Sequence, residues 1–291
     1  MRKIDAHSHP DFCNVTFEGV LRDMEENEIE KICLLSWENP LDENYPGYRE
    51  TTPSAVDDSV QIPFHRCLSY YERAPEKFIL GYAPDPRVPG TLMKFRGAVK
   101  TYNIKMCGEV KFRMMYDNPD AIELFRLCGE YGIPVTLHLD DAEVNRCGME
   151  YPRPHYWYGG DIETLERVLK KCPETNFLGH APGFWAYISD DEQSRTVAYP
   201  KGSVIPGGKI EEFLGKYPNL YCDCSGGSGV NALSRDREYT KKLFAEFPDR
   251  FVYARDEYST RLEDFIGELD LSAEFLEKFF HGNIERLLGM K

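Results

Sequence analysis

The sequence predicts an α/β protein whose parallel strands close into a (β/α)8 TIM barrel. Short apolar runs alternate with amphipathic helical patterns from end to end, eight such pairs can be counted, and 291 residues suit one unit of this kind. A single barrel domain over 1–291, with long strand-to-helix loops and extra helices at its C-terminus, is the expectation. No Gly-, Ser- or Pro-rich linker, fixed-period repeat or low-complexity tract divides the chain.

The first strand is read over 3–9 and the first helix over 17–29, where Phe17, Val20, Leu21, Met24 and Ile29 fall at helical spacing. Strand two covers 31–36, followed by a turn-rich excursion near 37–60 and a helix over 61–73. Strand three (78–83), helix 90–101 and strand four (105–112) complete the first half. Asn118-Pro119-Asp120 opens helix 119–131 and Gly132 closes it, the usual order of proline early and glycine late. Strand five (133–139) leads to helix 161–171, with Asp161 as its N-cap. Strand six (175–180), helix 207–217, strand seven (219–224), helix 235–247 and strand eight (250–256) follow, then closing helices over 261–269 and 272–280. Several strands are continuous apolar runs, as expected where both faces of a sheet are covered. The long segments 37–60, 140–160 and 181–204 all follow strands, which puts them on the face where barrel active sites lie.

Charge and composition narrow the partners. A net charge of −14 disfavours nucleic acid and anionic membrane surfaces, and a small-molecule substrate is expected instead. No apolar run is long enough for a membrane span, and the first residues lack a signal-peptide pattern, so a cytoplasmic location is expected. The 9 cysteines sit singly in apolar stretches, as reduced core thiols do. Cys222-Asp223-Cys224 would put two thiols on one strand face, but with no second Cys or His pair nearby they read as packing. Outer helices of barrels often associate, so a homo-oligomer is also expected.

The candidate chemistry lies at the strand tips. Ile4-Asp5-Ala6-His7-Ser8-His9 ends strand one with two imidazoles at i and i+2, which point the same way. Strand four carries Glu109 and Lys111 on one face, strand five ends at His138, strand six at His180 and strand eight at Asp256. Each has an ordinary alternative: a bonded rim histidine, a Glu109–Lys111 pair, Asp256 as a helix cap. Four of the 7 histidines at the tips of three strands make a metal site the better reading. His65, His155 and His281 have no such placement and are read as structural or exposed.

This order of ligand-type residues resembles the amidohydrolase superfamily of metal-dependent barrels. The closing Gly282-Asn283-Ile284-Glu285-Arg286-Leu287-Leu288 is similar to the C-terminal signature of the branch that mixes hydrolases with nonoxidative decarboxylases. The resemblance implies that His7, His9 and Asp256 hold one ion. His138 would complete that site, or join His180 at a second ion bridged by Glu109 or a carboxylated Lys111; Glu109 is preferred because it needs no modification.

Neutral imidazoles with carboxylates suit Zn2+, with Mn2+ or Fe2+ as other occupants, one or two ions in all. Zinc lowers the pKa of bound water from about 15.7 to near 7, on the order of 12 kcal/mol of help in forming hydroxide. The expected reaction is hydrolysis of a C–N or C–O bond in an amide, lactone or ester. Asp256 would carry the proton, and His180, where not a ligand, would stabilise the oxyanion. The alternative on the same scaffold is nonoxidative decarboxylation of an aromatic or unsaturated acid. Tyr156-Trp157-Tyr158 and Phe184-Trp185-Ala186-Tyr187 would then line the substrate, with Lys111 and the forks Arg113, Arg153 and Arg255 as carboxylate partners. The competing reading of these aromatics is that they pack the long loops onto the barrel.

Overall fold

The computed structural model describes residues 1–44, 52, 60–141 and 156–290. Parallel strands β1 (Lys3–Ser8), β2 (Ile29–Leu34) and β5 (Phe78–Leu80) form one sheet in the order β1-β2-β5. The strands β6 (Cys107–Val110), β7 (Val135–His138), β8 (Phe177–His180), β9 (Leu220–Asp223) and β10 (Phe251–Val252) form a second, also parallel. Backbone hydrogen bonds join the two sheets at both seams. Lys105 N–H donates to Leu80 at 2.9 Å and Tyr82 N–H to Met106 at 3.0 Å on one side. Ala6 N–H donates to Tyr253 at 3.1 Å and Asp256 N–H to His7 at 2.8 Å on the other, so the eight strands form a continuous ring.

The helices α1 (Phe17–Glu26), α2 (Phe64–Arg73), α3 (Thr91–Tyr102), α4 (Pro119–Glu130) and α5 (Ile162–Lys171) each return the chain to the foot of the next strand. Their starts are chemically marked: Thr16, Asn118 and Asp161 each accept a backbone N–H of the first turn. Helix α1 is shorter than its apolar spacing predicts, because Glu28 adopts a left-handed φ of 54° and Ile29 begins β2. The excursion near 37–60 contains β3 (Trp37–Pro40) and β4 (Val60–Ile62), an antiparallel pair beside the barrel mouth. Further elements lie outside the predicted set, among them the single turn α6 (Pro182–Trp185) and, directly after β9, α8 (Gly226–Ser234). Helix α8 opens with Gly-Gly-Ser-Gly, which carries no apolar periodicity to read. Between them lies α7 (Lys209–Lys216), and α9 (Arg237–Glu246), α10 (Arg261–Gly267), α11 (Ala273–Glu277) and α12 (Asn283–Leu287) complete the chain.

Two apolar layers hold the ring. One lies between strands and outer helices, where Phe244 of α9 packs on Phe251 of β10 and Phe275 of α11 with centroids 4.7 and 4.8 Å away. The other is a cluster of Ile4, Ala6, Cys33, Met106, Leu178 and Val252 from the strands, joined by Ile284, Leu287 and Leu288 of the C-terminal segment. The segment that resembles a family signature therefore packs against strand residues from across the ring. The eight described cysteines are all free thiols, seven buried and Cys13 exposed. Among the described residues no helix is long and apolar enough to cross a membrane.

Strand β1 does not alternate evenly. Its pairing with β2 is irregular between Asp5 and Ser8. Asp5 shares the parity of His7, yet its carboxylate accepts from Arg255 Nε at 3.0 Å and Arg255 N–H at 3.0 Å. Arg255 also donates to Asp23 of α1 at 3.2 Å. The expectation of Arg255 as a substrate fork is thereby corrected: its guanidinium is buried between two carboxylates at the β1–β10 seam. Burial pushes the Asp5 carboxyl up to about 6, against the opposing pull of Arg255. Replacing Arg255 by Ala should cost about 3–5 kcal/mol in urea unfolding of the metal-free chain, because it leaves a buried carboxylate unpaired. The double variant Arg255→Met/Asp5→Asn should lose clearly less than the single one.

Candidate metal centre

The chain brings six of the predicted residues to one point. His7 and His9 present their Nε2 atoms to each other at 3.1 Å. Behind them, His7 Nδ1 meets Asp223 Oδ2 at 2.7 Å and His9 Nδ1 meets the Leu35 carbonyl at 2.8 Å. Both outer partners are acceptors, so each Nδ1 carries a proton and each Nε2 is the ring nitrogen turned to the centre. Two such nitrogens stay this close only with positive charge between them, a shared proton or a metal ion that replaces it. Two nitrogens about 2.0–2.1 Å from one ion, at angles of roughly 90–110°, would stand about 2.9–3.4 Å apart. The observed gap falls in that window.

Carboxylates complete the ring. Asp256 Oδ1 lies 3.9 Å from His7 Nε2 and 3.6 Å from His9 Nε2. Its backbone is left-handed, φ 63°, an uncommon state for a non-glycine residue. Glu109 reaches both ways: Oε2 is 3.6 Å from His9 Nε2, while Oε1 is 2.5 Å from His138 Nδ1 and 3.6 Å from His180 Nε2. His180 Nε2 is in turn 3.8 Å from Asp256 Oδ2. Ligand-type atoms converge in three sets: His7, His9, Asp256; Glu109, His138, His180; and His7, His180, Asp223. No such set among the described residues includes Cys222 or Cys224, and both thiols are buried.

The electrostatics favour added positive charge. Burial alone would pull His7 down, but the Asp223, Asp256 and Glu109 carboxylates outweigh it and raise the group to about 10. Burial pushes Glu109 up, and Lys111 with His138 more than reverses this, holding it well below the usual carboxylate range. His138 is held well below its ordinary value by burial and by Lys111, and its Nε2 is buried without a hydrogen-bond partner. Burial also lowers His180.

Asp223 and Ser225 belong to this cluster but lie outside the sequence-derived set. Their signal was the one that marked the others, a polar residue at the tip of a barrel strand; the flanking cysteines drew the reading to thiols. A cavity opens beside the cluster, with room for water-sized groups over about 90 Å3, lined by Phe12, Trp37, Lys111, Tyr199 and Gly226 together with the carboxylates. Lys111 Nζ stands 3.7 Å from the centre of the Trp37 ring and 5.3 Å from that of Tyr158. Gly226, φ +69°, holds a left-handed backbone that strains any other residue, and its Cα lies close beside Asp256.

The other expected substrate residues are elsewhere. Trp185 is buried and donates its Nε1–H to the Asp223 carbonyl at 2.9 Å. Phe184 packs under β8, where it would collide with any Cβ at Gly179. The Arg113 backbone N–H donates to Glu43 at 3.0 Å, and the residue does not line the cavity. His65 is exposed and His281 pairs with Glu285 at 2.9 Å. Arg153 and His155 lie outside the described residues.

The family model for amidohydrolases matches residues 4–290. The chain belongs to the amidohydrolase family. No curated protein matches this chain. Among solved structures, an uncharacterized TIM-barrel protein from Bordetella bronchiseptica is similar at 15% identity and TM-score 0.65, with 99% of each chain covered. A dihydroxybenzoic acid decarboxylase from Polaromonas, with bound manganese and the inhibitor 2-nitroresorcinol, is similar at 15% identity and TM-score 0.58, covering 99% of this amidohydrolase and 96% of that chain. A probable 2-pyrone-4,6-dicarboxylic acid hydrolase from Acinetobacter baumannii, with citric acid bound, is similar at 11% identity and TM-score 0.60, with 100% of both covered. These likenesses establish the TIM-barrel fold. Gly226→Ala should lower the thermal midpoint, consistent with about 1–2 kcal/mol of left-handed strain.

Proposed function

We propose that this chain is a metal-dependent hydrolase that cleaves an amide, lactone or ester of a small molecule and uses two divalent ions. The observation that carries the reading is the Glu109 carboxylate, whose two oxygens face His9 on one side and His138 with His180 on the other. An unmodified carboxylate between two sets of imidazoles is the donor arrangement of a bridged pair. His7, His9 and Asp256 would hold one ion, His138 and His180 the other. Zn2+ suits these donors best, with Mn2+ next and Fe2+ after it. When bound, such ions supply Lewis acidity and an acidified water at neutral pH.

The side chains then have distinct tasks. Asp256 is the most open of the ligand set, with 18% of its side chain exposed towards the cavity, and it takes and returns the proton. His180 serves as a ligand in this reading, so the oxyanion role passes to Lys111, whose ammonium is held at the cavity by Trp37. Phe12 and Trp37 present apolar surface to the body of the substrate.

A second reading, nonoxidative decarboxylation, is favoured by the same Lys111, which would grip a carboxylate, and by the decarboxylase among the structures of similar fold. A panel of lactones, esters, amides and aromatic acids, assayed in labelled water, separates the two. Hydrolysis places solvent oxygen in the product, whereas decarboxylation places solvent hydrogen on carbon. Chelation should abolish turnover, and Zn2+ or Mn2+ should restore it. Glu109→Gln should bind one ion fewer by elemental analysis, and a His7→Ala/His9→Ala variant with full activity would refute the proposal.

A further inference from the structure

The Asp223 side chain lies behind the cluster, has no exposure to solvent, and meets imidazoles of both ion sets. Oδ2 is 2.7 Å from His7 Nδ1. Oδ1 accepts the Ser225 N–H at 2.9 Å and lies 3.8 Å from His180 Nδ1, too far for a direct bond. Ser225 Oγ fills that gap, 3.0 Å from His180 Nδ1 and, at 3.4 Å, less closely beside His7 Nδ1, whose proton Asp223 Oδ2 accepts at 2.7 Å. A hydroxyl gives one proton and accepts others. His180 Nδ1–H therefore donates to Ser225 Oγ, Ser225 O–H donates to Asp223, and His7 Nδ1–H donates directly to the same carboxylate. The His7 and His180 rings stand 4.6 Å apart, and this arrangement turns the Nε2 lone pair of each forward. Trp185 pins the Asp223 backbone from outside.

We propose that Asp223 is a shared positioning residue that orients one imidazole of each ion site, His7 directly and His180 through Ser225. The affinities of the two sites then depend on a single carboxylate at the tip of β9. This assignment rests on the two-ion reading. Loss of a carboxylate that orients a metal-binding histidine typically weakens metal affinity 10–100-fold, and here the loss falls on both sites. A hydroxyl whose nearer imidazole is that of His180 should affect that site more than the other.

The test is calorimetric titration of the chelator-stripped full chain with Zn2+ and Mn2+, with ion content checked by elemental analysis. Asp223→Asn and Ser225→Ala would be compared in the native background, in His138→Ala (which leaves the His7/His9 site) and in His9→Ala (which leaves the Glu109/His138/His180 site). The expected result is two equivalents for the native chain and a loss of about 10–100-fold in both single-site backgrounds for Asp223→Asn. Ser225→Ala should show its larger loss in the His9→Ala background. Native affinity in either background for a folded Asp223→Asn overturns the proposal. Should Asp223→Asn fail to fold, Ser225→Ala decides: unchanged binding in the His9→Ala background overturns it. Fewer than two equivalents in the native chain would instead sink the two-ion reading and the shared role with it.

Discussion

Three carboxylates, Glu109, Asp223 and Asp256, are gathered with four imidazoles at the mouth of a barrel whose interior is otherwise apolar. Their mutual repulsion is the constraint around which the rest is arranged. Charges taken out of water are tolerated only when paired and hydrogen-bonded. Here the outward partners are supplied by the protein: Asp223 for His7 and the Leu35 carbonyl for His9. The inward partners are only other acceptors, with Lys111 standing over Trp37 at the edge. Ring nitrogens and carboxylates turned to one point, with His7 and His9 held from behind, are organised around something positive.

The fold was legible because its signals are local and repeated. Strand-length apolar runs, caps such as Asn118 and Asp161, and the break at Gly132 each state a boundary in a few residues. The His-x-His pair was legible for the same reason, since spacing along one strand needs no knowledge of neighbours. Arg255 shows the opposite case. Nothing beside it in the chain announces Asp5 or Asp23, whose carboxylates come from the other end of the sequence and neutralise it. Trp185 was misjudged for a related reason, because an aromatic on a long loop looks alike whether it turns to the cavity or to the backbone of β9. Helix α8 escaped notice since its glycines serve a left-handed turn at Gly226 and close packing of Gly229 on the Cys224 backbone rather than helix propensity.

The division of labour between scaffold and loops follows. Ligand-type side chains come from strand ends or the residues directly after them, where the backbone is locked into the ring. The cavity wall comes from connecting segments: Phe12 after β1, Trp37 in β3, Tyr199 ahead of α7 and Gly226 at the start of α8. Changes in those segments can alter which molecule enters without disturbing the centre, which is how one barrel serves many chemistries.

The seam between β1 and β10 has a consequence for assembly. His7 and His9 stand at the beginning of the chain and Asp256 near its end, and the Asp5–Arg255 link that holds the seam spans 250 residues of sequence. Such distant pairings carry a large loop-closure cost and tend to form after nearer ones. A partly wound intermediate, however native its individual hairpins and helices, would have no complete coordination shell. On the proposed reading, ion binding would therefore report that the last strand has found the first.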